Sequence, residues 1–154
     1  MIPAIYLIGS LRNPEIPAIA EGLRETGLEV FDQWWTASED ADDWLRDYFR
    51  KRKFTYKQIL QSYAAKHIFS FDKFHLDRAD IGVLVMPAGK SGHLELGYMA
   101  GQGKRCYVLF DKEPERVDIM HQFANGGVFF DIEALKEDIE DWIESEAEQA
   151  EPPF

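Results

Sequence analysis

The segment Ala79–Lys104, ADIGVLVMPAGKSGHLELGYMAGQGK, constrains the fold more than any other stretch of the chain. An apolar run, Ile81–Met86, stops at Pro87, a Gly/Ser loop follows, and a helical pattern runs from Ser91–Gly92 to Gln102. A second apolar run, Cys106–Phe110, comes soon after. Strand, helix, strand in that order is the pattern of a parallel βαβ unit. In such a unit the helix starts at the carboxyl end of the strand, where open α/β sheets bind their ligands. The first turn of this helix is expected to carry one carboxylate, Glu95, beside helix N–H groups that suit an anionic ligand.

The same grammar extends in both directions. Pro3–Ile8 reads as a first, central strand ending at Gly9–Ser10. Asn13 is placed to cap a helix with Pro14 at its first position, and Ile16, Ile19, Ala20 and Leu23 form its apolar stripe. Gly27 ends that helix, and Leu28–Phe31 is a second strand. Asp40–Lys66 is helical in character, rich in aromatic residues and split by the basic cluster Arg50–Lys53; Asp72–Ala79 reads as a short helix. A helix around Glu115–Ala124, a strand at Val128–Phe130 and a closing helix with Ile132, Leu135, Ile139, Trp142 and Ile143 on one side complete the series. Strands alternating with helices imply a three-layer α/β/α domain around a five-stranded, mostly parallel sheet, in a flavodoxin-like or Rossmann-like order. One domain is expected over residues 1–147, with a helical aromatic insert at about 34–71 and a loose acidic tail at 148–154.

Composition bounds the function. The net charge is −11, and the stretch Glu133–Glu151 holds nine acidic residues against one lysine, leaving −3 for the rest of the chain. So acidic a surface argues against nucleic acid as a partner, and the acidic stretch reads as a solvated helix face. No run reaches the ~18 apolar residues of a membrane span, and Met1–Ser10 lacks a basic region followed by a long apolar one. The single cysteine, Cys106, lies in an apolar run, so a core position and a cytoplasmic protein are expected.

Several residues could do chemistry. Glu95 at a helix start would stay ionised, because the amino end of a helix favours negative charge, and it would then serve as a nucleophile or stabilise a cation; an exposed helix glutamate fits its position equally well. Asp72 is a second acid, and on position alone it reads as a helix cap. Tyr6 and the loop Gly9-Ser10-Leu11-Arg12-Asn13 combine close backbone approach, a hydroxyl and a guanidinium, which suits an anion or a simple turn; the loop matches no dinucleotide or P-loop pattern. Trp34 and Trp35 either stack on a planar base or roof the core. His93-x-Glu95 opens like a zinc-deaminase signature, but the later Cys-x-x-Cys is missing. His67, His75 and His121 show no metal-ligand spacing, so no metal is expected.

Taken together, Ile5-Tyr6-Leu7-Ile8-Gly9-Ser10, Asp72-x-x-x-Leu76-x-x-Ala79-Asp80 and Ser91-Gly92-His93-Leu94-Glu95-Leu96-Gly97-Tyr98 resemble the nucleoside 2-deoxyribosyltransferase family, which includes deoxynucleoside-monophosphate N-glycosidases. The resemblance spans roughly Ile2 to Gly127. It implies a flavodoxin-like fold, homodimers or higher homo-oligomers with shared sites, and cleavage of a base–sugar bond through a covalent glycosyl-carboxylate without any cofactor. By motif position it implies Glu95 as nucleophile, Asp72 as the acid that orients or protonates, and Tyr6 as the group that holds the nucleophile. Asn125, in Phe123-Ala-Asn125-Gly-Gly127, matches a residue that family members lend to a neighbouring subunit. The sequence departs from the free-nucleoside transferases at Pro87-Ala-Gly-Lys-Ser91, where they carry an aspartate. Gly9-Ser10-Leu11-Arg12 is instead similar to the phosphate-contacting opening of the monophosphate hydrolases, with Ser91, Gly92 and Lys90 as further phosphate contacts. The expected substrate is therefore a nucleoside or its 5′-monophosphate, and the sugar passes to another base or to water. A non-catalytic nucleotide sensor on the same fold is the rival reading, and an acidic interaction module the third.

Overall fold

A computed structural model of the chain describes residues 2–150. Five strands form one all-parallel sheet: β1 (Ala4–Ile8), β2 (Glu29–Phe31), β3 (Ile81–Val85), β4 (Arg105–Leu109) and β5 (Gly127–Phe129). Their order is β2-β1-β3-β4-β5, the flavodoxin-like arrangement. Between β1 and β2 runs α1 (Ile16–Arg24); the β2–β3 crossover holds α2 (Ala41–Lys51), α3 (Tyr56–Leu60) and α4 (Tyr63–Arg78). The helix α5 (Lys90–Gly101) joins β3 to β4, a short 3₁₀ turn (Ile119–Phe123) joins β4 to β5, and α6 (Ile132–Ala150) follows β5.

Strand pleating sorts the core into two layers. Ile5 and Leu7 of β1 pack with Ile16, Ala20 and Leu23 of α1 and with Leu135 and Ile139 of α6. Tyr6 and Ile8 point the other way, into a cluster with Leu76 of α4 and Leu96 and Met99 of α5. Every residue of β1 and β3 is buried, which is why these strands read as unbroken apolar runs. Gly82 permits the close approach of α5: a Cβ there would lie 2.8 Å from the Met99 sulfur. Cys106 is a buried free thiol, as expected.

The structure departs from the sequence reading in four places. Asn13 does not cap a helix opening at Pro14. Its Oδ1 accepts from the Glu15 N–H at 3.0 Å within a preceding turn, and α1 begins at Ile16 with a proline in its first turn. The short helix expected at Asp72–Ala79 is the second half of α4, because no glycine or proline interrupts residues 63–78 and Ser62 caps the whole run by accepting from the Ala65 N–H. Asp72 is therefore an interior helix residue and not a cap. The helix expected around Glu115–Ala124 shrinks to the 3₁₀ turn, started by Asp118, whose carboxylate accepts from the Met120 N–H at 3.0 Å. Residues 148–150, assigned to the tail, belong to α6, while 151–154 lie outside the described residues.

The aromatic segment is helical and interrupted next to its basic cluster. It forms α2, α3 and the start of α4, broken where Lys53 adopts a positive φ of 61° and again where Thr55 and Ser62 cap new helices. Much of its apolar surface stays exposed, including Trp44 (74%), Tyr63 (93%) and Phe69 (66%). No helix among the described residues is long and apolar enough to cross a membrane.

Candidate active site

From β1 the chain crosses by α1 to β2 on one side, whereas β3 lies on the other side and is followed by α5 on the opposite face. This reversal opens a crevice at the carboxyl ends of β1 and β3. Into it lead the loop that begins at Gly9 and the loop Met86–Gly89.

Three chemically capable side chains converge beside it. Tyr6 leaves β1 on the α4/α5 face of the sheet. Asp72 sits on α4 one turn before the buried Leu76, and Glu95 sits on α5 one turn before the fully buried Met99. Residues four apart share a helix face, and their side chains tilt toward the helix amino end. The amino-terminal parts of both helices lie toward the carboxyl edge of the sheet, since α4 ends just before β3 and α5 begins just after it. Both carboxylates accordingly lean toward the crevice, where Glu95 comes near the Tyr6 hydroxyl and feels the Asp72 charge.

The electrostatics follow from that meeting. Burial, then the charge of Asp72, push the Glu95 carboxyl up to about 7, opposed by the hydrogen bond from Tyr6. Asp72 is also raised, by its own burial. The Tyr6 phenol is raised far out of the physiological range, first by burial and then by the two acids, so it stays a donor. The expectation that the helix amino end would keep Glu95 ionised is thus overturned. Glu95 is the sixth residue of α5 and not in its first turn, where the dipole acts, and desolvation with a like charge outweighs it.

The remaining candidates divide into loop and scaffold. Gly9 makes room for the core, since a Cβ there would meet Ile16 Cδ1 at 2.7 Å and Trp34 Cη2 at 3.6 Å. Trp34 donates its indole N–H to the Leu7 carbonyl at 2.7 Å, beyond the last β1–β2 pair, and packs on both core layers. Trp35 likewise donates to the Asn13 carbonyl at 3.0 Å. The two tryptophans therefore roof the core. Ser10 Oγ accepts from the Arg12 N–H at 3.1 Å, and Arg12 is exposed at the rim of a cavity of about 300 Å³ shared with Trp35 and Ser38. Ser91 is exposed near the start of α5, and Gly92 is buried against Ile8 and Leu84, each 3.2 Å from where its Cβ would be. No side chain caps the amino end of α5, so its first N–H groups are free to bind an anion.

Asn125 lies at the other end of the sheet. Its carboxamide accepts from the Cys106 N–H at 2.9 Å and donates to the Lys104 carbonyl at 2.8 Å, pinning the start of β4.

Two groupings had no sequence signal. An aromatic row runs outward from Tyr6: its ring lies 5.2 Å from Phe31, which stacks on His75 at 3.8 Å, which in turn meets Phe71 edge-on at 4.8 Å. The i, i+4 spacing of Phe71 and His75 was the only hint. Separately, His93, Asp118 and His121 place one ligand atom each within 4.8 Å of one another. Asp118 and His121 are three apart in one turn, while His93 is distant in sequence and is brought to them by the packing of that 3₁₀ turn on α5.

No protein-family model and no curated protein matches the chain. Among solved structures, a 2-deoxyribosyltransferase from the psychrotolerant bacterium Bacillus psychrosaccharolyticus superposes with a TM-score of 0.60 at 19% identity, over 86% of this chain and 90% of that one. The chain thus shares its three-layer α/β/α architecture with that structure over most of both lengths.

Proposed function

We propose that this protein is an N-glycosidic-bond enzyme of the nucleoside 2-deoxyribosyltransferase type. The observation that carries the reading is the convergence of Tyr6, Asp72 and Glu95 at the crevice between β1 and β3. The fold of the 2-deoxyribosyltransferase neighbour supports it, as do the sequence motifs that hold these three residues.

The chemistry proceeds in two displacements. Once the proton held by the pair moves from Glu95 to Asp72, the ionised Glu95 oxygen attacks the anomeric carbon of the sugar while the carbon–nitrogen bond breaks and its electron pair leaves with the base. The Asp72 carboxyl gives the departing base its proton. In the return step Asp72, now a carboxylate, takes a proton from an incoming base or water, which attacks the same carbon and frees Glu95. A half-buried anion close to the sugar stabilises the positive charge that builds there, and Tyr6 keeps that anion oriented by donating to it. The two carboxyl groups play the parts that paired acids play in retaining glycosidases.

The substrate is a (deoxy)nucleoside or its 5′-monophosphate. The uncapped amino end of α5, with Ser91 and Gly92, and the exposed Arg12 after Ser10 favour the monophosphate, for which hydrolysis is the companion outcome. The exposed aromatic and aliphatic residues of α2–α4 favour a homo-oligomer, because so much apolar surface is unusual on a monomer.

The test is a panel of nucleosides and 5′-monophosphates, ribo and deoxy, incubated with and without an acceptor base and followed by chromatography. Release of free base or formation of a new nucleoside, abolished by Glu95→Ala, supports the reading. Tight binding with no base released from any substrate would favour a nucleotide sensor instead.

A further inference from the structure

We propose that His93, His121 and Asp118 form a binding site for one divalent transition-metal ion of the zinc class, separate from the crevice. The two imidazoles stack with ring centroids 5.2 Å apart, and their Nε2 atoms face each other at 3.0 Å. Asp118 Oδ2 lies 3.7 Å from His121 Nε2 and 4.0 Å from His93 Nε2. An ion bound at ~2.0–2.1 Å to each ligand separates neighbouring ligand atoms by about 2.9–3.4 Å. The nitrogens already have that spacing, and a small rotation of the half-exposed Asp118 carboxylate brings its oxygen to it.

Hydrogen bonding around the site prepares the donors. His93 Nδ1 lies 2.8 Å from the Gly89 carbonyl, which can only accept, so the ring proton sits on Nδ1 and the Nε2 lone pair faces His121. A second bond of this kind, from ring N–H to backbone carbonyl, is what orients and fixes the tautomer of metal-bound histidines. Asp118 uses Oδ1 to start the 3₁₀ turn and keeps Oδ2 for the site. Two imidazoles and one carboxylate suit a borderline ion such as zinc(II) or cobalt(II), with a fourth position left for water.

The site is not part of the glycosidic machinery. His93 and Glu95 are two apart on α5, a spacing that sends their side chains to nearly opposite sides. A bound ion would clip the first turns of α5 to the β4–β5 connection, which otherwise meets that helix only through the 3₁₀ turn. The proposal stands or falls without reference to the activity proposed above.

The experiment uses the whole protein, stripped with EDTA and desalted. Zinc(II) is titrated by calorimetry, and cobalt(II) by its visible absorption. The wild-type chain should take up one ion, give a cobalt spectrum of low coordination number, and melt several degrees higher when loaded. His93→Gln and Asp118→Asn both alter partly exposed side chains, and asparagine preserves the turn cap, so each variant should fold. Each should weaken zinc at least about tenfold and abolish its effect on melting. Absence of saturable binding to the wild type would overturn the proposal, leaving the histidines as a neutral hydrogen-bonded pair. Equal binding by wild type and both variants would overturn it too, placing the ion on the acidic face of α6.

Discussion

Replacing Glu95 by glutamine should stabilise the protein, and the gain should depend on pH in a defined way. In the unfolded chain a glutamate titrates near its ordinary value of 4.5; in the fold Glu95 is pushed up to about 7. A folded-state value above the unfolded one means that stability is complete below pH 4.5, declines as the pH rises, and is fully lost once the pH passes about 7. At about 1.4 kcal/mol per unit, the raised value corresponds to on the order of 3 kcal/mol by pH 8. Glutamine keeps the shape and hydrogen-bonding capacity of the carboxyl but brings no charge into the crevice. Glu95→Gln should therefore match the wild type near pH 4.5 and exceed it by about 2–3 kcal/mol at pH 8, or roughly 4–12 °C in melting temperature. Urea denaturation of both proteins at several pH values, with EDTA present throughout, reads this difference, since titrating groups not coupled to Glu95 contribute equally to both. A glutamine variant no more stable than wild type at pH 8 would refute the claim that partial burial and the Asp72 charge raise Glu95.

Further outcomes follow from the same geometry. Asp72→Asn removes the like charge that helps raise Glu95, so the Glu95 pKa should fall, as followed by carboxyl-carbon NMR; base release should drop by ~10²–10⁴ because the departing base loses its acid. Trp34→Phe leaves the Leu7 carbonyl without its 2.7 Å indole partner and should cost about 1–3 kcal/mol in urea unfolding. Gly126→Ala sets a methyl group 2.4–2.7 Å from the ring of Tyr107. That ring is fully buried and tied by its hydroxyl to Asp138 at 2.8 Å, so it cannot yield easily. A loss of about 1–3 kcal/mol or more is expected by the same measurement.

The parts of this molecule that were legible in sequence are those governed by local patterns. β1 and β3 are buried on both faces, so their residues had to be apolar throughout, and Gly27 at a φ of 84° marks the end of α1 in the way left-handed caps do. Tyr6, Asp72 and Glu95 are singled out as candidates because each sits in a short motif whose spacing is readable in one chain. Their protonation was not legible, because it depends on burial and on a neighbour 23 positions away in sequence, which dipole arguments about a single helix leave out. The length of α4 was misjudged where aromatic residues hid an uninterrupted helical run. The His93–Asp118–His121 cluster was invisible for a different reason: His93 comes from α5, 28 residues before His121, and the Asp118–His121 spacing of three is too common to single out a site.

The central claim is that Glu95 is the atom-bonding nucleophile of a glycosyl transfer, and rapid acid quench followed by mass spectrometry of the peptides tests it most directly. With a substrate that releases base, the peptide holding Glu95 should gain the mass of the sugar, fragmentation should place that mass on Glu95, and Asp72→Asn should change how long the adduct persists. Base released with Glu95 unmodified, or the sugar found on another side chain, would contradict the account.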